Sequence, residues 1–450
     1  MLIDLTNGNI TKKMMLFAVP MIIGNLLQQI YNIADTIIVG KFIGPDALAA
    51  VGSSYTLMIF LTSILLGLCM GSGAVFSIRY GENDISKLKK SIGISFVIIL
   101  SVTIILNMAV FVFIDPIMHF LNIPSSIYQM MKSYLWIIFL GITATFLYNF
   151  YSSVLRSVGN SLSPLIYLGV SVVLNIVLDL IFVLSFDMGV EGAAVATVIS
   201  QFVSGIGIAL YTFFKFPEFR FDIWKLKFER DIIKDIFKFS FLTCIQQSIM
   251  NFGISMVQEL INSFGTIVMA AFAAAVKIDS FAYMPVQDFG NAFSTFIAQN
   301  YGAKKKERIK EGIKSAVKYT IIFCLLISLI VCIFAKQFML IFVDPSKAEI
   351  INHGIDYLKI EGAFYFGIGC LFLLYGFFRA VEKPFISVIL TVVSLGTRVF
   401  LAYTLSKIPS IGVMGIWVSV PIGWILADLI GFTYYKSKKK EIDEKLMIST

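Results

Sequence analysis

The stretch PMIIGNLLQQIYNIADTIIVG (20–40) combines a long apolar run with a single polar stripe. The polar residues of the stripe are three or four positions apart, which places them on one face of a helix: Asn25, Gln28, Asn32 and Asp35. A second apolar stretch, SVVLNIVLDLIFV (171–183), carries Asn175 and Asp179 one helical turn apart. A carboxylate inside a membrane helix is energetically costly and by default indicates a functional site. Asp35 and Asp179 therefore predict a site that binds and releases a proton or another cation.

The composition places the chain in a lipid bilayer. Hydrophobic residues make up 58% of the 450 residues, charged residues only 14%, and the mean hydropathy is +0.86, whereas a soluble domain has about 25% charged residues. The length is sufficient for a dozen apolar helices of about 20 residues each. The sequence predicts an all-α integral membrane protein whose twelve transmembrane helices form two pseudo-symmetric six-helix bundles.

The distribution of basic residues predicts the orientation in the membrane. The predicted helices cover residues 14–39, 47–77, 91–114, 131–155, 162–184, 190–214, 238–262, 268–299, 315–335, 353–378, 385–406 and 410–435. With a cytoplasmic N-terminus, 28 of the 36 Lys and Arg residues fall on the cytoplasmic side, as the positive-inside rule requires. We therefore expect a multi-pass plasma-membrane protein with both termini in the cytoplasm. The same bias explains the net charge of +8 without a nucleic-acid partner.

The two halves of the sequence repeat one plan. Four segments of the first half recur in order in the second: 42–52 at 263–273, 77–93 at 298–314, 155–159 at 378–382 and 189–195 at 412–418. Because each copy contains an even number of helices, both copies have the same orientation in the membrane. The predicted domains are an N-terminal lobe (1–214), an amphipathic cytoplasmic linker helix (215–237) and a C-terminal lobe (238–450).

These features together resemble the multidrug and toxic compound extrusion (MATE) family of efflux transporters along nearly the whole chain. The resemblance is carried by motifs in the family's order: Pro20 fifteen residues before Asp35, GPDALAAVG (44–52), Asn149-x6-Arg156, Asn175-x3-Asp179, GAAVAT (192–197), VKIDSFAYMPVQDFG (276–290) and QNYGA (299–303). It implies secondary active efflux of hydrophobic, often cationic, compounds by alternating access between two lobes. The exchanged ion would be a proton or sodium, and no other cofactor is implied.

The resemblance also implies roles for single residues. Five polar residues would line a cavity of the N-terminal lobe and couple transport to the ion: Asp35, Asn149, Asn175, Asp179 and Thr197. A bend at Pro20, which lacks a backbone N–H, would accompany the transport cycle. Two nearby carboxylates in a nonpolar environment favour uptake of a proton, whereas amide and hydroxyl oxygens could also hold sodium. The choice between the two ions stays open.

A further set of polar and aromatic residues is expected to line the substrate cavities: Gln28, Tyr31, Asn32, Gln247, Asn251, Glu259, Tyr283 and Asp288. The acids of the first half have no counterpart in the second. An offset of 221 residues places Asp35 opposite Met256. An offset of 220 places Asp179 opposite Val399. Ion coupling is therefore expected in the N-terminal lobe.

Two other function classes compete with efflux. A flippase for lipids or lipid-linked oligosaccharides, from the wider superfamily, is expected to hold a pyrophosphate with basic groups in its central cavity. The intramembrane charges here are mainly acidic, and the exceptions, Lys277 and Arg398, are expected to pair with Asp279 and Glu361. A membrane enzyme is not predicted, because the two histidines share no catalytic or metal-binding motif. The expected partners are small hydrophobic or cationic molecules and membrane lipid, and the protein is expected to be monomeric.

Overall fold

The computed structural model describes residues 2–120 and 123–445, and no β-strand occurs in this part of the chain. Fourteen α-helices are formed by these residues: α1 Ile10–Ile38, α2 Pro45–Gly81, α3 Ile85–Phe120, α4 Ser125–Leu140, α5 Ile142–Ser157, α6 Leu162–Leu180, α7 Gly189–Lys215, α8 Arg230–Asn262, α9 Thr266–Gly302, α10 Lys306–Phe342, α11 Ala348–Gly362, α12 Tyr365–Ala380, α13 Pro384–Leu405 and α14 Met414–Lys445. The all-α membrane fold is thereby confirmed.

Each of the twelve predicted spans corresponds to one helix or to one bent pair of helices. The pairs are α4 with α5, bent by 41°, and α11 with α12, bent by 51°. Within the described ranges, 9 helices are long and apolar enough to cross a membrane, and the bent pairs raise the number to 11. The remaining span lies in α8, whose apolar run is interrupted by Gln246, Gln247 and Asn251. Helix α8 is therefore the least apolar of the predicted spans.

The sequence repeat is visible in the backbone conformation. Positive φ angles occur in four matching pairs: Gly44 (126°) and Gly265 (89°), Asn83 (58°) and Lys304 (57°), Gly159 (86°) and Glu382 (62°), Gly189 (59°) and Gly412 (51°). The non-helical residues inside α3 and α10 also match, with φ −104° at Phe113 and φ −100° at Phe334. Each half thus retains the same turns even where the residue type changes, although non-glycine residues rarely adopt positive φ.

The backbone repeat corrects one alignment. The two halves are offset by 221 residues as far as Phe113 and by 223 residues from Gly159 onward. Asp179 therefore stands opposite Ala402 and not opposite Val399, while Asn175 stands opposite Arg398. The second half has two extra residues between Phe334 of α10 and the start of α11 at Ala348, and they shift the alignment of everything after them. The acids still have no counterpart in the second half.

Two compact units make up the structure. The first contains the described residues up to Asp4 and those of Val19–Cys244; the second contains Leu5–Ala18 and the described residues from Ile245 onward. Two helices are divided between the units, α1 directly before Pro20 and α8 in its middle. The predicted lobe boundaries at 214 and 238 follow the sequence repeat, and a repeat boundary need not coincide with the boundary of a compact unit. The lobe boundaries therefore stay a prediction.

The amphipathic helix predicted over 215–237 is not formed. The segment consists of two short 3₁₀ turns followed by the start of α8: Pro217–Phe219, Ile223–Lys225 and Arg230. Pro217 ends α7 because it pushes the preceding residue out of the helical region, and Phe216 has φ −126° and ψ 71°. Phe216 and Phe219 are buried in the core of the first unit, whereas Trp224 is 96% exposed. The linker therefore folds onto the first unit.

Candidate functional site

The packing of α6 along α7, with α1 approaching both at single points, brings several of the predicted ion-coupling residues together. Helix α6 packs along α7, which begins with the small residues of GVEGAAVAT (189–197). Helix α1 approaches α6 at Gly24, where a Cβ atom would lie 3.5 Å from Leu168. The side chains of Asn175, Asp179 and Thr197 are buried as a result.

A chain of hydrogen bonds joins these side chains. The Asn175 amide nitrogen donates to Asp179 Oδ2 at 2.9 Å, and the Asn175 amide oxygen accepts from the Thr197 hydroxyl at 3.3 Å. The opposite amide orientation would place the Asn175 oxygen against the carboxylate, so the hydrogen bonds decide the orientation. Because Thr197 has one hydroxyl proton, the Tyr31 hydroxyl at 3.2 Å must donate to it. The chain therefore runs in one direction, from Tyr31 to Asp179.

Both carboxylates of the site have an oxygen left over. Asp35 Oδ1 and Asp179 Oδ1 are buried, and neither has a hydrogen-bond partner among residues 2–120 and 123–445. The two groups are close enough to repel each other as anions, and no basic side chain from this part of the chain is an electrostatic neighbour of either. Unopposed charges in a nonpolar site are costly. The pair is therefore suited to take up a cation.

A π-helical turn follows each acid. Val39–Ile43 begins four residues after Asp35, and Ile181–Ser185 begins two residues after Asp179. Such turns are frequent at functional sites because they interrupt the regular hydrogen bonding of a helix. Val39 and Val183 from the two turns pack into one buried apolar cluster. The acids thus border on nonpolar side chains.

Other residues that were predicted for the first half lie outside this chain of hydrogen bonds. The Asn149 amide donates to the Thr145 carbonyl, one turn earlier on α5, at 2.8 Å, and does not extend the chain of hydrogen bonds. Gln28 and Asn32 are half-buried on α1. Pro20 lies inside α1, which stays helical through it. The roles of these residues stay predictions.

The cavity residues predicted for the second half are spread along α8 and α9. Gln247 and Asn251 are half-buried one turn apart on α8, and Glu259 is exposed near its end. On α9, Tyr283 is half-buried and Asp288 is 4% exposed. Their role in a substrate cavity also stays a prediction.

Comparison with known proteins decides the family. The family model named MatE matches residues 20–181 and 240–404. The chain belongs to the MATE family. The MATE protein is 32% identical over 436 residues to the probable multidrug resistance protein YpnP of Bacillus subtilis strain 168, with 96% of each chain covered. It is 26% identical to the probable multidrug resistance protein NorM of Thermotoga maritima, with coverage of 96% and 93%.

The solved structures agree with this assignment. A crystal structure of MATE in the bent conformation matches the chain with a TM-score of 0.92 and 23% identity, and the match covers 99% of each chain. At this identity the match concerns the fold alone. The expected family and the helical membrane architecture are both confirmed.

The MATE chain holds a second buried polar cluster, in the second unit. Asp279 of α9 and Glu361 of α11 are 6% and 2% exposed, and both are electrostatic neighbours of Arg398 on α13. The sequence predicted this association, but it also placed Lys277 there, and Lys277 is exposed. The Tyr357 side chain, 2% exposed, borders the two acids. This cluster has a basic member, unlike the site in the first unit.

Sequence reasoning missed two buried groups. Tyr134 of α4 is 4% exposed and is an electrostatic neighbour of both Asp35 and Asp179. A tyrosine within an apolar helix carries no local signal of that position. Asp428 of α14 is 8% exposed, and its Oδ1 has no hydrogen-bond partner in the described part of the chain. An acid within an apolar helix was a signal for Asp428, as it was for Asp35.

Proposed function

We propose that this MATE protein is a secondary active multidrug exporter that exchanges hydrophobic, often cationic, compounds for protons. The observation that carries the proposal is the pair of half-buried Asp35 and buried Asp179, which lie within reach of each other's charge and have no basic neighbour among the described residues. The names of the curated relatives support multidrug export. The acidic character of the site favours a cationic cargo over a pyrophosphate-linked one.

The hydrogen bonds favour the proton over sodium as the exchanged ion. A hard metal cation requires several oxygen ligands. The Asn175 oxygen already accepts from Thr197, and the Thr197 oxygen accepts from Tyr31. The acceptors that remain in the described site belong to the two carboxylates, among them Asp35 Oδ1 and Asp179 Oδ1. One proton needs only one of these lone pairs, so it fits the site as it stands.

The exchange follows from competition between the proton and the cargo. The deprotonated pair attracts a cation, and a proton gained from outside removes that attraction and releases the cargo. Coupling of this kind requires that occupancy of one site change the affinity or conformation of the other. We propose that α1 provides the link, since it carries Tyr31 and Asp35 as well as Pro20, which allows a helix to bend. The proposal includes a plasma-membrane location with both termini in the cytoplasm.

The proposal is tested with purified protein in liposomes that hold a fluorescent planar cation. Efflux is measured with a proton gradient alone and with a sodium gradient alone. We expect the proton gradient to drive transport, and Asp35→Asn and Asp179→Asn to abolish it while the protein stays folded in detergent. Asp428→Asn serves as the control, because it removes another buried membrane acid that lies outside the site.

Two outcomes would contradict the proposal. Transport that follows only the sodium gradient would assign the pair to sodium. Wild-type transport by either asparagine variant would remove that acid from the coupling mechanism. A Pro20→Ala variant that binds the cation normally but transports it slowly is the expected sign of a bend in α1.

A further inference from the structure

A nonpolar groove of about 270 Å³ opens in the second unit between α9, α10, α12 and α14. Leu373 and Phe377 of α12 line it together with Cys370, and Lys436 and Lys439 of α14 stand at one end. Phe377 contacts Tyr435 with ring centroids 5.3 Å apart, which fixes this level of the groove near the lysines. Cys370 lies seven residues earlier, about 10 Å along the helix. The groove thus has a basic end and a nonpolar end.

The corresponding groove of the first unit is filled by the chain itself. The repeat places Phe150 and Val154 opposite Leu373 and Phe377, and it places Phe216 opposite Lys439. All three residues of the first half belong to one buried core with Phe219 of the linker. Phe216 and Phe219 stack at 5.5 Å between ring centroids. The linker therefore supplies the nonpolar side chains that occupy this position.

A small residue makes room for the linker in the first unit only. A Cβ atom at Gly93 of α3 would lie 2.7 Å from Leu226 and 3.2 Å from Phe221 of the linker. The counterpart of Gly93 is Lys314, an exposed residue of α10. The second unit thus has a lysine where the first unit admits a nonpolar segment.

The described side chains do not neutralise the two lysines of the groove. Lys438, between them in sequence, pairs with Glu441 at 3.0 Å. Lys436 and Lys439 are exposed and have no acidic partner within the described ranges. They lie beyond the apolar part of α14, at the end that the basic-residue bias assigns to the cytoplasm. Basic pockets at that level of a membrane protein suit anionic lipid headgroups.

We propose that this groove binds an anionic phospholipid. One acyl chain lies along α12 toward Cys370, in the place that the linker takes in the first unit, and the phosphate is held by Lys436 and Lys439. Charge complementarity selects an anionic lipid, because a zwitterionic headgroup would leave both lysines unneutralised. The choice of the cytoplasmic leaflet depends on the proposed topology, whereas binding itself does not.

The test uses the accessibility of Cys370 in the full-length protein. Purified transporter in detergent is mixed with phosphatidylglycerol, with phosphatidylcholine or with inorganic phosphate, and is then labelled by a small thiol reagent. Labelling is quantified on peptides, with Cys332, which does not line the groove, as an internal reference. We expect phosphatidylglycerol alone to protect Cys370. The variant with Lys436→Gln and Lys439→Gln should require about thirtyfold more lipid, at about 1 kcal/mol per lysine.

The matched control carries Lys438→Gln and Lys440→Gln, which remove the same charge from α14 without touching the groove. It should be protected like the wild type. Equal protection by phosphatidylcholine, or protection by phosphate alone, would overturn the proposal. If deletion of residues 446–450 made Cys370 accessible to the thiol reagent, the occupant of the groove would be the chain's own C-terminal end. This result would overturn the proposal as well.

Discussion

Each half of the molecule carries a buried polar cluster, but the charge balance of the two clusters differs. In the first half, Asn175 donates to Asp179, and Tyr134 borders the acid pair. The repeat places Arg398 at the position of Asn175 and Tyr357 at the position of Tyr134. The two clusters therefore share two positions, and the amide at one of them is a guanidinium in the second half, whereas the acids lie on helices that do not correspond.

We propose that the residue at this shared position helps to separate an exchanging site from a static one. Asp279 and Glu361 are opposed by Arg398, so their negative charge is partly balanced within the protein. Asp35 and Asp179 have no such partner in the described chain, so a cation from outside must balance them. A base within electrostatic reach of buried acids lessens their need for an ion from solution. We therefore propose that coupling occurs in the first half and that the second cluster has a structural role.

Exchanging the amide for a base is expected to have the largest effect. Asn175→Arg would place a permanent cation beside Asp179 and give the first cluster the charge balance of the second. We expect proton-driven efflux to be lost, since the acids would no longer need a proton, while the protein still elutes as a single species in detergent. Asn175→Gln, which keeps the amide, is the matched control. An arginine variant that transports like the wild type would refute the role of charge balance.

The reciprocal change is expected to destabilise the second cluster. Arg398→Asn leaves two buried carboxylates without a base. An uncompensated buried charge of this kind costs about 3–5 kcal/mol of stability. The loss should be greatest at neutral pH and should shrink as the pH falls, because protonation removes the unopposed charge. Thermal unfolding in detergent at several pH values measures this. Adding Glu361→Gln should restore part of the stability, and the absence of any restoration would mean that Arg398 does not act through the acids.

Breaking the chain of hydrogen bonds is expected to have a moderate effect. Thr197→Val removes the link between Tyr31 and Asn175, and a hydrogen bond contributes about 1 kcal/mol. Transport at a fixed proton gradient should fall about fivefold. Tyr31→Phe should have a similar effect, and the double variant should be little worse than either, because both changes break the same chain. If the double variant lost transport by the product of the two single losses, the two residues would act separately.

The smallest effect is expected at Asn149. Its amide bonds to a carbonyl of its own helix, so Asn149→Ala should leave the hydrogen-bonded site intact and change efflux less than about twofold. The same efflux assay, run beside Thr197→Val, makes the comparison. A loss as large as that of Thr197→Val would place Asn149 in the coupling site, as the family resemblance implied.

The sequence predicted those parts of the fold that depend on local pattern. Apolar length and the spacing of Asn175 and Asp179 identified the spans and the acids, and the repeated turns around Gly44 and Gly265 identified the two halves. The break between α4 and α5 at Gly141 was not visible, because both helices belong to one continuous apolar segment. The linker prediction was wrong because alternating aromatic and basic residues also suit an interfacial helix. In the structure, Pro217 ends α7, and Phe216 and Phe219 are buried in the core of the first unit.

The site was predicted in part of its members but not in its connections. Asp35, Asn149, Asn175, Asp179 and Thr197 were expected together, and hydrogen bonds join Asn175, Asp179 and Thr197 but not Asn149. Tyr31 was expected to contact substrate, and its bond to Thr197 depends on the meeting of α1 and α7, which no spacing within one helix reveals.

The number of protons that the transporter releases when a cargo cation binds shows which carboxylates exchange a proton for cargo. Tetraphenylphosphonium is added to the purified transporter in weakly buffered solution containing a pH indicator, and the protons released are counted. We expect the wild type and the Glu361→Gln variant to release protons, and the Asp35→Asn and Asp179→Asn variants to release none. Release that persists in both asparagine variants and disappears in Glu361→Gln would place the exchanging acids in the second half and contradict the account.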